Sequence, residues 1–243
     1  MRVTFLGTGS AMPTGRRAQT GLLVESGGRA LLVDCGSGVL SQLAATEVGY
    51  EGVDGLLLTH HHLDHVSDLM VLLKARWLAG AGELPIAGPA GTEALLAALY
   101  DVHEYMEGRL ETPVAEVAEG AFTFAGFDVA ALETRHSMRC LAYRFGDAFA
   151  FSGDSEAFDE LAAFAAGVEA LAHDCSFPDG VDVSNHPTPS QLGEALAGHE
   201  YGLVLLTHLY PHVEGEREAM LDSLARHYDG EARFAEDGLT IEL

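Results

Sequence analysis

The chain has 243 residues, 48% of them hydrophobic, enough to bury a substantial core as one large domain or two fused halves. No apolar run approaches the roughly 18 residues a membrane span needs, and Cys35, Cys140 and Cys175 lie too far apart for a disulfide framework or a C-x-x-C zinc knuckle. Thirteen basic against 37 acidic residues give a net charge of −24, with Lys74 the sole lysine, so little is available to neutralise the phosphates of a folded nucleic acid.

In chain order, "MRVTFLGTGS" enters a strand pattern at once, without the charged region and apolar core of a signal peptide, so a soluble chain in a reducing cytoplasm is expected. Apolar or alternating runs "VTFLGTG", "GLLVES", "RALLVDCG", "GLLLTH" and "LPIAGP" read as strands of a first half. A second half supplies "FTFAGFDVAAL", "CLAYRFG", "AFAFSGD", "ALAHDCS", "LVLLTH" and "LTIEL". Helical patterns fall at about 38–47, 65–79, 91–106, 155–166, 189–199 and 215–228, with Pro189 and Ser190 placed to start the fifth. Strands preceding helices in both halves, without a Gly/Ser or Pro-rich linker, predict one α/β domain over 1–243 built of two similar halves. "LLLTH" at 56–60 recurs as "LLTH" at 205–208, a hint of a shared plan. Leu72, Leu73, Trp77 and Leu78 recur at helical spacing and are expected in the core.

"THHHLDHVSD" (59–68) follows the apolar "GLLL" and concentrates metal-binding side chains at the end of a predicted strand, where open α/β sheets place their sites. His60 and His62 lie two apart in a loop, and Asp64 and His65 fall where a helix begins, so the four can converge. Neutral imidazoles with a carboxylate suit zinc. Further candidates close other strands: His136 in "LETRHSMRC", Asp154 in "FSGDS" and His208 in "LLTHLYPH". His61 should point away from the cluster, and His103, His173, His199, His212 and His227 lack motif support.

The pattern H-x-H-x-D-H, then a distant His, an Asp in a "GD" turn and a final His, resembles the metallo-β-lactamase superfamily from "FLGTGS" to "THLYPH". The resemblance implies an αββα sandwich in which His60, His62 and His136 hold one metal, Asp64, His65 and His208 a second, and Asp154 bridges both. Two zinc ions are implied, with manganese as the alternative. A bridging carboxylate in place of the cysteine of the best-known β-lactamases, with two metals roughly 3.5–4 Å apart, suits in-line displacement at phosphorus. Asp64 and Asp154 would then orient a metal-bridging hydroxide. "HDCSF" followed by "SNHPTPSQLGEAL" resembles the ribonuclease Z branch and its phosphodiesterase relatives, which makes His186 the proton donor to the leaving oxygen and Thr188 the residue before a helix. Asp34 in "LLVDCGSG" resembles the family's buried aspartate, which orients a ligating histidine.

The chain departs from ribonuclease Z in two ways. Only "SMRCLAYRFGDAFAFSG" separates His136 from Asp154, room for two short strands and a turn where full-length ribonuclease Z carries an arm that grips tRNA. Basic residues are also few, although Arg16, Arg17, Arg135 and Arg139 cluster near the motifs, where they could bind a phosphate or pair with surface carboxylates. The expected partner is therefore a small-molecule or short nucleotide phosphodiester and not a folded tRNA, with no membrane and with a homodimer as relatives often form. The alternatives are a ribonuclease Z-type RNA endonuclease or a hydrolase of a sulfate ester, thioester or lactone. A two-iron redox protein of the same fold would need a flavin-binding partner domain, and a carboxylate-rich first cluster where this chain has His62.

The acidic excess runs along the whole chain and forms a solvated coat. It reflects either a genome that favours arginine over lysine or, as its size favours, a halophilic host with a high-salt interior. The second account predicts a melting temperature that rises as KCl increases from low to molar levels, since screening weakens repulsion among carboxylates; a flat or falling curve would leave only the first.

Overall fold

In the computed structural model, which describes residues 1–181 and 184–243, the first half runs β1 (Arg2–Gly7), β2 (Gly21–Ser26), β3 (Arg29–Val33), α1 (Val39–Ala44), β4 (Gly55–Leu57), α2 (Leu63–Val66), α3 (Leu69–Ala79), β5 (Ile86–Gly88), α4 (Thr92–Val102) and β6 (Val114–Glu116). The second half runs β7 (Gly120–Phe124), β8 (Phe127–Glu133), β9 (Leu141–Phe145), β10 (Phe149–Phe151), α5 (Asp159–Ala165), β11 (Ala170–Asp174), α6 (Pro189–Leu196), β12 (Leu203–Thr207), α7 (Arg217–Leu224) and β13 (Ala232–Phe234), and β14 (Thr240–Glu242) closes the chain. Two seven-stranded sheets result, ordered β14-β1-β2-β3-β4-β5-β6 and β13-β12-β11-β10-β9-β8-β7.

In these orders the first sheet is antiparallel over its first four strands and parallel over its last four, and the second is the reverse. Strands buried on both faces explain the near-continuous apolar runs of β4, β10 and β11. Between the sheets, Phe5, Leu31, Val33 and Leu57 of one pack with Tyr143, Phe149, Phe151 and Leu205 of the other. The outer face of the first sheet is covered by α1, α3 and α4 through Leu43, Leu72, Leu73 and Leu96, and that of the second by α6 and α7 through Leu192, Leu196, Met220 and Leu224. This is the αββα sandwich.

Several elements differ from their expected form. "FTFAGFDVAAL" is a hairpin, β7 and β8, reversing at Ala125 and Gly126, both at positive φ. The helix expected over 65–79 is broken at Ser67 and Asp68, where the Asp68 carboxylate accepts the N–H groups of Gly38 and Leu40 and caps α1. The helix expected from 155 begins at Asp159, because the N–H groups of Ser155 and Glu156 are held by Asp174 and by the Arg135 carbonyl. Leu78 is 67% exposed, not core: the buried stripe of α3 runs Leu69, Leu72, Leu73 and Arg76, and Leu78 falls outside it. The "LLTH" recurrence lies on β4 and β12, which are not equivalent, since β4 matches β11 in the two sheet orders.

Tyr143 of β9 donates a buried hydrogen bond of 2.7 Å to the carbonyl of Leu58, just beyond β4, and so ties one sheet to the other behind the histidine loop. Tyr143→Phe leaves that buried carbonyl without this donor and should lower unfolding stability by about 1–3 kcal/mol in a denaturant titration.

Candidate metal centre

Strand ends of both sheets meet at one edge of the sandwich, and the side chains placed there face one another. His60 and His62 leave β4 in an extended loop, and His62 is the residue before α2, whose first turn carries Asp64 and His65. His136 follows β8, Asp154 follows β10 and His208 follows β12. Two glycines permit the approach. A Cβ on Gly153 would lie 2.9 Å from Cys140 Sγ, and one on Gly36 would lie 2.0 Å from the carbonyl oxygen of Asp64. Asp34 and His208 adopt left-handed backbone, at φ 60° and 57°, an uncommon conformation for residues with a Cβ.

Asp154 is the centre of the cluster. Its carboxylate lies 3.6 Å from His60 Nε2, 3.2 Å from His65 Nε2, 3.8 Å from His136 Nε2 and 3.3 Å from His208 Nε2. His62 Nδ1 is 3.1 Å from His136 Nε2, and Asp64 Oδ2 is 3.2 Å from His208 Nε2 and 3.9 Å from His65 Nε2. The donors fall into three groups with metal-binding spacing: His60, His62, His136 and Asp154; Asp64, His65 and His208; and Asp154, His186 and His208, which shares a residue with each of the others. Three buried atoms at the meeting point, His60 Nε2, His65 Nε2 and Asp154 Oδ1, have no hydrogen-bond partner among the described residues. Buried polar atoms are rarely left so. Nitrogen and carboxylate donors aimed at shared points, with their lone pairs unused, fit divalent cations.

A surrounding set of hydrogen bonds fixes the rings. Asp34 Oδ2 meets His65 Nδ1 at 2.7 Å, and Thr59 donates both its N–H and its hydroxyl to Asp34 at 2.8 Å. Thr59 Oγ1 also lies 3.0 Å from His60 Nδ1, and His136 Nδ1 lies 3.2 Å from the Asn185 carbonyl. The Ser176 hydroxyl donates to Asp174 Oδ1 at 2.6 Å and lies 3.0 Å from His208 Nδ1. The other Asp174 oxygen meets His186 Nδ1 at 2.6 Å. His186 stacks on His208 with ring centroids 5.2 Å apart, and its donor atom lies within 4.8 Å of those of Asp154 and His208.

The sequence profile described as Anti-Pycsar protein Apyc1 matches residues 1–219. The chain belongs to the Anti-Pycsar protein Apyc1 family. It is also 34% identical over 249 residues to the ribonuclease Z of Mycobacterium sp. (strain KMS), with 90% of this chain and 87% of that one covered. To the ribonuclease Z of Mycobacterium bovis (strain BCG / Pasteur 1173P2) it is 31% identical over 277 aligned positions covering 100% of this chain and 98% of that one. Among solved structures, the metallo-β-lactamase fold protein YhfI from Bacillus subtilis superposes with a TM-score of 0.86 at 28% identity over 99% of both chains. The short form of human tRNase Z superposes at 0.79 and 22% identity, covering 100% of this chain and 99% of that one, a likeness of fold. The Apyc1-family chain is thus a metal-dependent hydrolase of the metallo-β-lactamase superfamily, similar to ribonuclease Z.

The structure brings together every predicted site residue: His60, His62, Asp64, His65, His136, Asp154 and His208 in the cluster, His186 against it, and Asp34 behind His65. His61 points away and meets Thr92 Oγ1 at 2.8 Å. The four arginines do not form a phosphate site. Arg16 pairs with Glu214 at 3.2 Å, Arg135 with Glu160 at 3.1 Å and Arg139 with Glu133 at 3.5 Å, while Arg17 reaches Thr8 and the Ala235 carbonyl. Asp174, Ser176 and Tyr210 were not singled out in the sequence. The signal available for Asp174 was its place as a strand-end aspartate before cysteine, which "VDCG" shares with "HDCS".

Electrostatics follow from burial and neighbours. Burial lowers the pKa of His60 well below the ordinary histidine value, with His65 adding to the effect. Burial opposes protonation of His65 too, yet Asp154 and Asp34 outweigh it and hold that pKa well above the ordinary value. Asp154 is held well below the carboxylate range, because His208, His65 and His60 overcome the cost of burial. Burial, then Asp64, Asp154 and Asp174, push the Tyr210 phenol up to about 12.

Two measurements on metal binding follow. A cation must displace the proton that Asp154 and Asp34 draw onto His65, so affinity should rise with pH and metal addition should release protons, readable by calorimetry in buffers of different ionisation enthalpy. Asp34→Asn leaves every cluster donor in place but weakens the hold on His65, and should cost about 10–100-fold in metal affinity.

Proposed function

We propose that the chain is a dinuclear zinc phosphodiesterase acting on small or short nucleotide phosphodiesters. His60, His62 and His136 would hold one ion, Asp64, His65 and His208 the other, with Asp154 shared; the nitrogen-rich donor set favours zinc, with manganese the alternative. Two such ions lower the pKa of a nearby water and draw charge from the phosphoryl oxygens of an in-line displacement.

The observation that carries the reading is the His186–Asp174 pair, 2.6 Å apart and packed against the cluster. With Nδ1 donating to Asp174, the proton available for transfer is on Nε2. Burial opposes protonation of His186, but Asp174, then Asp154 and Asp64, raise its pKa to about 9, so the ring is charged at neutral pH; cations on the neighbouring donors would lower it from there. Asp64 and Asp154 orient the attacking water. The water, made acidic in this site, would give a proton to solvent and attack as hydroxide; as its oxygen bonds to phosphorus the opposite P–O bond breaks, the leaving oxygen takes the Nε2 proton of His186, and solvent reprotonates the ring.

A ribonuclease Z-type endonuclease is the second reading, favoured by the 34% identity noted above. Against it, only β9, β10 and their turn lie between His136 and Asp154, and the basic residues near the site are already paired. The three buried free cysteines and the charge of −24 support a reducing, salt-rich cytoplasm as the setting.

With zinc or manganese supplied, the wild type should cleave cyclic nucleotides or bis(p-nitrophenyl) phosphate; turnover of a lactone or sulfate ester without diester cleavage would sink the reading. His62→Ala and His208→Ala should each deplete one ion and Asp154→Ala both, by elemental analysis. His186→Ala should keep both ions and lose roughly 10²–10⁴ in rate, since a general acid contributes about that much. The loss should shrink for a p-nitrophenolate, which leaves as a stable anion, and grow for a ribose alkoxide.

A further inference from the structure

Charge on the non-bridging oxygens of a phosphodiester needs hydrogen-bond donors as the attacking oxygen arrives, and a donor fixed in place lowers the barrier. Arg16, Arg135 and Arg139 are paired with carboxylates, and Arg17 with Thr8 and the Ala235 carbonyl. The outward nitrogens of His60, His65 and His208 are taken by Thr59, Asp34 and Ser176, and His186 is assigned to the leaving oxygen. Tyr210 is a further donor, packed between the histidines of the cluster and Phe177.

Tyr210 is two residues beyond His208, and its ring centroid lies 5.7 Å from that of His208 and 5.9 Å from that of His186. Phe177 stacks on its other side at 4.5 Å and 28°, and its N–H reaches the Ser176 carbonyl at 3.4 Å. The ring is therefore held by a stack on Phe177, by edge contacts with His186 and His208, and from the main chain. Tyr143 and Tyr201 each donate to a backbone carbonyl, at 2.7 and 2.8 Å, whereas the Tyr210 hydroxyl has no hydrogen-bond partner among the described residues, and the residue is partly exposed beside the cluster.

We propose that the Tyr210 hydroxyl donates a hydrogen bond to a non-bridging phosphoryl oxygen of the substrate. The assignment rests on the phosphodiesterase reading and narrows it. A neutral donor on a rigid ring recognises one phosphoryl group and adds none of the counterion release by which basic grooves hold polynucleotides. It therefore suits a diester with a single phosphate.

The test compares wild type and Tyr210→Phe, both zinc-loaded, on a nucleotide diester and on its two phosphorothioate diastereomers, with metal content and melting temperature measured alongside. Phenylalanine keeps the stack on Phe177 and removes only the hydroxyl. Expected is a fall of roughly 10–100-fold in kcat/KM on the oxygen diester, the scale of one hydrogen bond to a charged group, with metal content unchanged. The fall should be smaller on one diastereomer, because sulfur is a weak acceptor. Wild-type activity in the phenylalanine variant, or equal losses on all three substrates, would overturn the contact and leave the phosphodiesterase reading standing. Absence of diester cleavage by the wild type would overturn both.

Discussion

The buried carboxylate of Asp154 is the constraint around which the molecule is arranged. It is 2% exposed and has four imidazole nitrogens within 3.8 Å. An ionised carboxylate taken out of water costs several kcal/mol unless opposite charge meets it. The histidines cannot all supply that charge, because burial and mutual repulsion drive His60 toward its neutral form. Divalent cations would resolve the conflict, since they could satisfy Asp154 Oδ1, His60 Nε2 and His65 Nε2 together and let the imidazoles stay neutral. The position of Asp154 is set by the main chain, with Gly153 packed against Cys140 and Thr59, and the Asp154 carbonyl held by the Thr134 hydroxyl at 2.7 Å.

The hydrogen bonds behind the cluster join the proposed metal donors to the proposed proton donor. Asp174 holds His186 with one oxygen and Ser176 with the other, and Ser176 in turn contacts His208. The proposed acid and a proposed metal donor are therefore oriented by one carboxylate at the end of β11. Thr188 anchors the segment that carries His186, forming a capping box with Gln191 at the start of α6. The segment beyond is fastened again by Asp179, which accepts from Ser190 and from Ser223 of α7.

What could be read from the sequence was what is local. The H-x-H-x-D-H run fixes its own geometry, since a loop and a first helical turn bring Asp64 and His65 to the same side as His60 and His62. His136, Asp154 and His208 were legible because each ends an apolar strand, and strand ends in a layered α/β fold converge. What depends on distant pairing was not. Strands β6 and β13, three residues each, are strands only because β5 and β12 lie beside them. The C-terminal "LTIEL" was legible as a strand, but nothing in it shows that β14 crosses back to pair with β1 of the other half. Glu214, the partner of Arg16, and the Ala235 carbonyl that Arg17 reaches lie about 200 residues further along the chain, beyond the reach of any local pattern.

The two halves follow one plan and use it differently. Both sheets carry an aspartate just beyond the central strand that joins their antiparallel and parallel parts: Asp34 after β3 and Asp154 after β10. Asp34 is turned into its own half, where Thr59 and His65 occupy it and make it an orienting group. Asp154 instead meets histidines of both halves: His60 and His65 of the first, and His136 and His208 of its own. The loop after β4 carries donors that the loop after its counterpart β11 replaces with Asp174, Ser176 and His186. A symmetric frame thus places His60, His62, Asp64 and His65 of the proposed donor set on one half and His136, Asp154 and His208 on the other, beside the proposed proton donor His186. The proposed proton donor His186 and the proposed hydroxyl donor Tyr210 both belong to the second half and lie beside one another, their ring centroids 5.9 Å apart, so on the proposed reading a phosphodiester would meet both from that half.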